Sequence, residues 1–366
     1  MPKVLVVGAL GVVGRAVVER LAGRANLEVV ALSRRTPDFA PEASWVAADL
    51  RDPQATSIAL APHRDTTHII YAALSEQPQL LRGWRDEANA ALNTAMLRNT
   101  LDALQSAPIE HLTLMQGTKA YGVHTGRPMR VPAREQDAIR DHANFYFDQK
   151  DLVAARAQNM GFRWTVLRPQ IVLGVAVGSA MNPVAALGAY AVLSRELGIA
   201  LRYPGHPHLL TECTDARLIA SAVEWAWHEP RAHRQAFNVA NGDVIVWSTF
   251  FERLAREFGL QLGQPIEIST ADEMPRHAPL WRQIARRENL AIEDLERLLG
   301  LSWQYADATW ASRRPLPVPP LVSTVKLRQA GFADCIDTED CIIEHLRAMQ
   351  TLRYLPACQR TPSTAV

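Results

Sequence analysis

Excess charge of either sign is missing from this chain. Its 39 lysines and arginines stand against 38 aspartates and glutamates, a net +1 over 366 residues with the 11 histidines neutral. That balance gives no electrostatic case for nucleic acid or for an anionic membrane surface. Cysteine is scarce as well: Cys213, Cys335, Cys341 and Cys358 show no C-x-x-C spacing, which argues against a disulfide framework and for reduced thiols. His206 and His208 flank a proline with no cysteine or carboxylate cluster beside them, so no metal is expected. An unbroken apolar span is also lacking. Residues 169–194 carry no charge, but Pro169, Gly174, Gly178, Asn182, Pro183 and Gly188 interrupt them, which fits a buried loop and helix beside an apolar pocket rather than a membrane span. The N-terminal apolar run has only Lys3 before it and flows into a charged amphipathic helix, unlike a signal peptide, so a cytoplasmic protein is expected.

What is present starts at Val4. The stretch V-L-V-V-G-A-L-G-V-V-G-R-A-V-V-E-R-L carries an apolar strand into three glycines and then a helix. Gly8, Gly11 and Gly14 have the spacing that lets backbone approach a pyrophosphate over a helix N-terminus and lets that helix pack close on the strand. The cofactor turn is therefore assigned to Gly8, Leu10, Gly11, Val12, Val13 and Gly14. Val13, Val17, Val18 and Leu21 form the inner helix face, with Arg15, Glu19 and Arg20 outside. An acidic residue is missing where it would hold a ribose 2′-hydroxyl. The second strand, residues 27–32, ends instead in Ser33-Arg34-Arg35, and guanidinium groups at that place pair with a 2′-phosphate, which predicts NADP(H). Asp49, followed by Leu50, is placed to accept from the adenine amino group. Ala72 and Ala73 end the fourth strand with side chains small enough for a cofactor to lie across them.

The alternation predicts an α/β fold: a Rossmann-type doubly wound parallel sheet with a smaller, mainly helical C-terminal substrate-binding region. Residues 1–170 form the dinucleotide-binding domain, with elements returning near 206–245, and 171–366 the helical region. A long helix is expected over 83–105, a fifth strand over 110–115, a helix over 144–160 and a sixth strand over 163–168. Beyond these come helices at 216–228, 247–258, 279–300 and 339–352, and a short strand at 236–239. The run R-R-P-L-P-V-P-P at 313–320 reads as a rigid surface connector.

Chemistry concentrates after the fifth strand. In M-Q-G-T-K-A-Y-G-V-H, residues 115–124, Gln116 and Gly117 lie beside the expected nicotinamide position. In N-F-Y-F-D-Q-K-D, residues 144–151, Tyr146 and Lys150 are four apart, which a helix stacks on one face. An ammonium near a phenol lowers its pKa and prepares it to hydrogen-bond an oxygen that gains negative charge. Pro169, Ile171 and Val172 would flank the nicotinamide.

These segments, with L-R-P-Q-I-V-L-G at 167–174, M-N-P at 181–183, Y-A-V at 190–192, Y-P-G at 203–205, N-G-D-V-I-V-W at 241–247 and G-F-A-D-C-I-D-T-E-D at 331–340, resemble the progesterone 5-beta-reductase/iridoid synthase family along nearly the whole chain. Members are atypical extended short-chain reductases that use NADPH to reduce the carbon–carbon double bond of enones. The resemblance implies that Tyr146, the first tyrosine of the family's N-F-Y-Y, is catalytic, and that Lys119 is its lysine. Phe147 replaces the second tyrosine. Where the family usually has an acidic residue this chain has Lys150, so two lysines, Lys119 and Lys150, compete for one role. The serine of ordinary short-chain reductases falls near Gly117 or Thr118, which leaves ketone-reducing machinery incomplete. The implied reaction is conjugate hydride transfer to a small hydrophobic enone, with Tyr146 stabilising the enolate oxygen. Met181, Pro183, Leu187 and Tyr190 would enclose the substrate, and a homodimer is implied. A carbonyl reductase, a sugar-nucleotide epimerase and a non-catalytic NADP(H) sensor are the other readings.

Overall fold

Short runs of β-branched and other apolar residues, each closed by a polar or glycine-rich turn, build the sheet that positions the site. In the computed structural model, which describes residues 1–39, 42–313 and 318–358, these runs are β1 (Lys3–Val7), β2 (Glu28–Ser33), β3 (Ser44–Ala47), β4 (His68–Tyr71), β5 (His111–Met115), β6 (Arg163–Pro169) and β7 (Gln235–Val239). They pair in parallel in the order β7-β6-β5-β4-β1-β2-β3. The register sets Val4 beside Val29 on one side and His68 on the other. Strand order reverses between β1 and β4, and in such sheets the crevice at the strand C-termini there is where ligands bind.

Helices α1 (Val12–Leu21), α2 (Pro53–Leu60), α3 (Glu87–Ala103), α4 (Phe145–Met160) and α5 (Ala216–His228) cover this sheet. The α1 and α5 helices pack on each other, while α3 lies against both α2 and α4. Leu60, Met96, Leu97 and Val153 from that second layer share a core with Leu5, Val7, Ile69 and Leu112 of the strands. Capping explains the helix starts. The side chain of Asp52 accepts from the N–H of Gln54 and Ala55, Asp86 from Asn89, and Asn144 from Tyr146. Asp86 also corrects the expected 83–105 helix, since Leu80–Gly83 is a separate turn and the long helix begins only at Glu87.

Arg15 is a second correction. It is 2% exposed rather than outward-facing, because Glu19 and Asp38 take its guanidinium at 2.8 and 2.9 Å and Phe39 lies 4.2 Å beneath it. The expected 279–300 helix is likewise two, Ala278–Arg287 and Leu295–Leu299. Asn289 turns left-handed at φ 51° between them, and Asp294 caps the second.

The chain divides into two units, Met1–Gln170 with Ala216–Ala240 and Pro320–Cys335, and Ile171–Asp215 with Asn241–Pro319 and Ile336–Val366. In the second unit the helix Pro183–Glu196 is buried along nearly its whole length in a core that includes Trp247, Trp281 and Trp310. Leu187 is fully buried there, and Tyr190 donates its hydroxyl to the carbonyl of Arg202 at 2.7 Å. Both belong to that core. Gly188 lets the helix meet the helix Thr338–Thr351 and the residues after it: a Cβ at 188 would stand 2.4 Å from Leu355 Cδ1 and 2.9 Å from Leu346 Cδ2. Gly188→Val is therefore expected to destabilise the protein by about 1–3 kcal/mol through overpacking, read as a lower denaturation midpoint. Of the proline-rich connector, residues 314–317 lie outside the described residues. No described helix is long and apolar enough to cross a membrane.

Candidate active site

The dinucleotide turn depends on atoms that two glycines lack. Gly8 sits at φ +89°, and a Cβ there would lie 2.7–2.8 Å from the backbone of Ala72 and Ala73 at the end of β4. Gly14 is tighter, since its Cβ would fall 2.2 Å from the Gly8 carbonyl oxygen and 2.8 Å from Ala9 Cα. Gly11, which caps α1, would meet nothing closer than 3.4 Å. With no side chain at 8 or 14 the N-terminus of α1 closes on the strand ends, the arrangement that receives a pyrophosphate. Leu10 and Val12 are buried beneath it, with Val13 half-buried.

At the end of β2, Arg34 and Arg35 are exposed, and the Arg35 N–H donates to Ser33 Oγ at 3.3 Å. No carboxylate replaces them as the residue following the strand. Asp49 is engaged by Arg51, whose Nε and Nη2 reach its two oxygens at 2.9 and 2.6 Å. That guanidinium holds the Asp49 carboxyl below its usual range. Leu50 is buried and its carbonyl accepts from Asn99 at 2.8 Å. These residues fit an NAD(P) dinucleotide: a glycine cradle too tight for a side chain at Gly8 or Gly14, cations at the β2 end, and the half-buried Ala72 and Ala73 opposite Gly8.

Lys119 and Tyr146 come together, although the chain separates them by a loop. The Lys119 ammonium lies 5.5 Å from the centre of the Tyr146 ring, 5.4 Å from that of Phe145 and 4.8 Å from that of Trp84. Burial pushes its pKa down, against the opposing pull of Glu76, whose Oε1 is 3.7 Å from Nζ. Lys150 lies one turn along α4 and is half-buried; burial and the neighbouring Arg168 push its pKa down. Gly117 abuts the phenol, since a Cβ there would stand 3.2 Å from the Tyr146 hydroxyl oxygen and 3.4 Å from the Pro169 carbonyl oxygen.

Three side chains fix this geometry. Asn144 accepts from the Tyr146 N–H at 3.1 Å and donates to the Lys119 carbonyl at 3.0 Å, tying the tyrosine helix to the lysine loop. Gln116 donates to the Tyr146 carbonyl at 2.6 Å, and the buried Arg168 donates to Gln116 Oε1 at 3.1 Å. Glu76, Trp84 and Asn144 were not among the residues expected from the sequence. Asn144 had a signal, a polar residue just ahead of an apolar helix, whereas Glu76 and Trp84 lie in the loop after β4 with no local pattern. Ile171 and Val172 belong to the second unit, where Val172 pairs with Thr214 in a two-residue parallel ribbon.

Comparison with known proteins adds to this geometry. A family profile described as NAD(P)H-binding matches residues 8–175. Among solved structures, UDP-glucose 4-epimerase of Thermotoga maritima superposes with a TM-score of 0.67 at 13% identity, covering 95% of this chain and 99% of that one. RMD of Pseudomonas aeruginosa, solved with NADPH, gives 0.63 at 16% identity, covering 95% and 98%. Those likenesses establish the fold alone. In sequence, an (S)-8-oxocitronellyl enol synthase of Nepeta cataria is 31% identical over 96% of this chain and 92% of its own length. The corresponding enzyme of Catharanthus roseus is 28% identical with the same coverage. Identity at that level from end to end, carried on an NAD(P)H-binding fold, establishes that the chain belongs to the progesterone 5-beta-reductase/iridoid synthase-like family of NAD(P)H-dependent reductases.

Proposed function

We propose that this protein is an NADPH-dependent reductase of the activated carbon–carbon double bond of small hydrophobic enones. The observation that carries the reading is the approach of the Lys119 ammonium to the Tyr146 ring beside a glycine, Gly117. A serine in place of Gly117 would put its side chain against the phenol. With glycine there, no side chain of residue 117 stands between the Tyr146 hydroxyl and a substrate oxygen. When bound, the reduced nicotinamide supplies the hydride, which an enone accepts at its β-carbon.

The residues then handle the charge that follows. As the double-bond electrons move toward the carbonyl, its oxygen gains negative charge, and the Tyr146 O–H donates to it. Lys119 is assigned as the cation behind that phenol, and its positive charge favours the electron-rich tyrosine oxygen. Lys150, on the same helix but bordered by Arg168, is assigned to the ribose hydroxyls. Protonation of the α-carbon by water completes a saturated ketone. The faces of Trp84 and Phe145 support an apolar substrate, and Arg34 and Arg35 support NADPH over NADH.

The test is NADPH oxidation with a panel of cyclic and acyclic enones, repeated with NADH, with products identified by mass spectrometry. A saturated ketone formed preferentially with NADPH is the expected result. An allylic alcohol would replace this reading with carbonyl reduction, which the Tyr146–Lys150 spacing favours. NADPH binding without turnover of any enone would overturn the substrate class.

A further inference from the structure

The pair formed by Lys119 and Glu76 is more deeply buried than either charge tolerates in isolation. Their side chains are 11% and 4% exposed. Trp84 Nε1 donates to Glu76 Oε1 at 3.2 Å, but Glu76 Oε2 is buried with no hydrogen-bond partner. A buried carboxylate oxygen left without a donor carries an uncompensated desolvation cost. Apolar residues of similar volume often stabilise a fold more than a buried ion pair does. Stability therefore does not account for Glu76, and its position against the lysine does.

We propose that Glu76 is a positioning residue for Tyr146, holding the Lys119 side chain charged and in place against the tyrosine ring. The groups facing Lys119 leave it this role by their own commitments. Asp86, across the same small recess, accepts from the Asn89 N–H at 3.0 Å and from Gln77 at 3.0 Å. His124, on the lysine's own loop, is pushed down to about 3 by burial and stays neutral. Trp84, Phe145 and Tyr146 turn ring faces toward it. Among the described residues, the carboxylate paired with the ammonium is that of Glu76. Burial pushes its own pKa up while Lys119 draws it back toward the ionised form.

The kinetic consequence rests on the reductase reading above; the electrostatic one does not. Lys119 serves Tyr146 while protonated, so activity is present below the lysine pKa and lost as pH rises through it. Glu76→Gln removes the charge that holds this pKa up, so the basic limb of the kcat–pH profile is expected to move at least about one unit toward lower pH. At a pH above the parent's basic limb kcat is then expected to fall about tenfold or more, with KM for NADPH unchanged. A residue that merely packs would lower kcat by one factor at every pH. The second readout needs no substrate: NMR titration of the full-length protein labelled with 13C at lysine, with the Lys119 signal identified by its loss in Lys119→Arg. It is expected to titrate lower in Glu76→Gln than in the parent. An unmoved basic limb, or Lys119 titrating at the same pH in both proteins, overturns the proposal. If the parent reduces no enone, the reductase reading fails and the NMR titration still decides the role of Glu76. If Glu76→Gln does not fold, Glu76→Asp, which keeps the charge but withdraws it, should move the same limb by a smaller amount, and no movement would overturn the proposal there.

Discussion

Phenylalanine in place of Tyr146 is expected to lower kcat/KM for enone reduction by about 10²–10⁴-fold, the usual worth of a positioned acid acting on developing charge. Cofactor affinity and the denaturation midpoint should stay near those of the parent. The substitution keeps the ring, with its 5.5 Å approach to Lys119 and its edge-on contact with Phe145 at 4.8 Å. The Asn144 and Gln116 hydrogen bonds to residue 146 use backbone groups and are untouched. Only the phenolic oxygen beside Gly117 is lost, so the effect isolates that oxygen. Steady-state NADPH oxidation together with fluorescence titration of NADPH checks both halves. A loss of less than about threefold would remove Tyr146 from the mechanism. Lys119→Met and Lys150→Met extend the comparison, since the first should approach the tyrosine variant in kcat and the second should act mainly on the cofactor KM.

The second large effect belongs to Gly14. Alanine there would place its methyl 2.2 Å from the Gly8 oxygen and 2.8 Å from Ala9 Cα, and both obstacles are backbone. Nothing flexible can move aside, so α1 must retreat from β1, and the amides at its head leave the place where a pyrophosphate would bind. NADPH affinity is expected to fall about 100-fold or more, with a loss of stability of about 3 kcal/mol, the upper end for overpacking. Gly11→Ala is the control, because its methyl would meet only ordinary contact at 3.4 Å; it should fold as the parent does. Equal NADPH affinity in Gly14→Ala and the parent would show that this turn is not the cofactor's.

Whatever is encoded locally was legible in the sequence. The glycine spacing, the apolar strands and the strand–helix alternation each rest on neighbours a few residues apart, and the parallel sheet follows from them. Arg15 misled for the converse reason: its helical position points outward by periodicity, yet Asp38 and Phe39, from beyond β2, enclose it. The break at Asn289 comes with a cap, since the Asp294 side chain accepts from the Arg297 N–H at the head of the second helix. For the site, the sequence placed Tyr146 on a helix but left two lysines in contention, and only the fold brings Lys119 to the ring. Glu76 had no mark at all, since an acidic residue in a loop looks the same whether solvated or buried against a distant lysine.

The first unit draws on three separated stretches of chain. The N-terminal 170 residues supply six strands, but β7, which pairs along β6 from Thr165 to Pro169, is reached only at residues 235–239. The carbonyl of Leu321 and the N–H of Ser323 then bond the backbone of Ala133. During synthesis, therefore, the edge of β6 emerges long before its partner, and closure at Ala133 waits for residues beyond 320. Such long-range pairings slow folding and leave a strand edge exposed meanwhile. A nascent chain halted before residue 235 would carry the glycine turn, the lysine loop and the tyrosine helix complete in sequence, yet with β6 unpaired along one side.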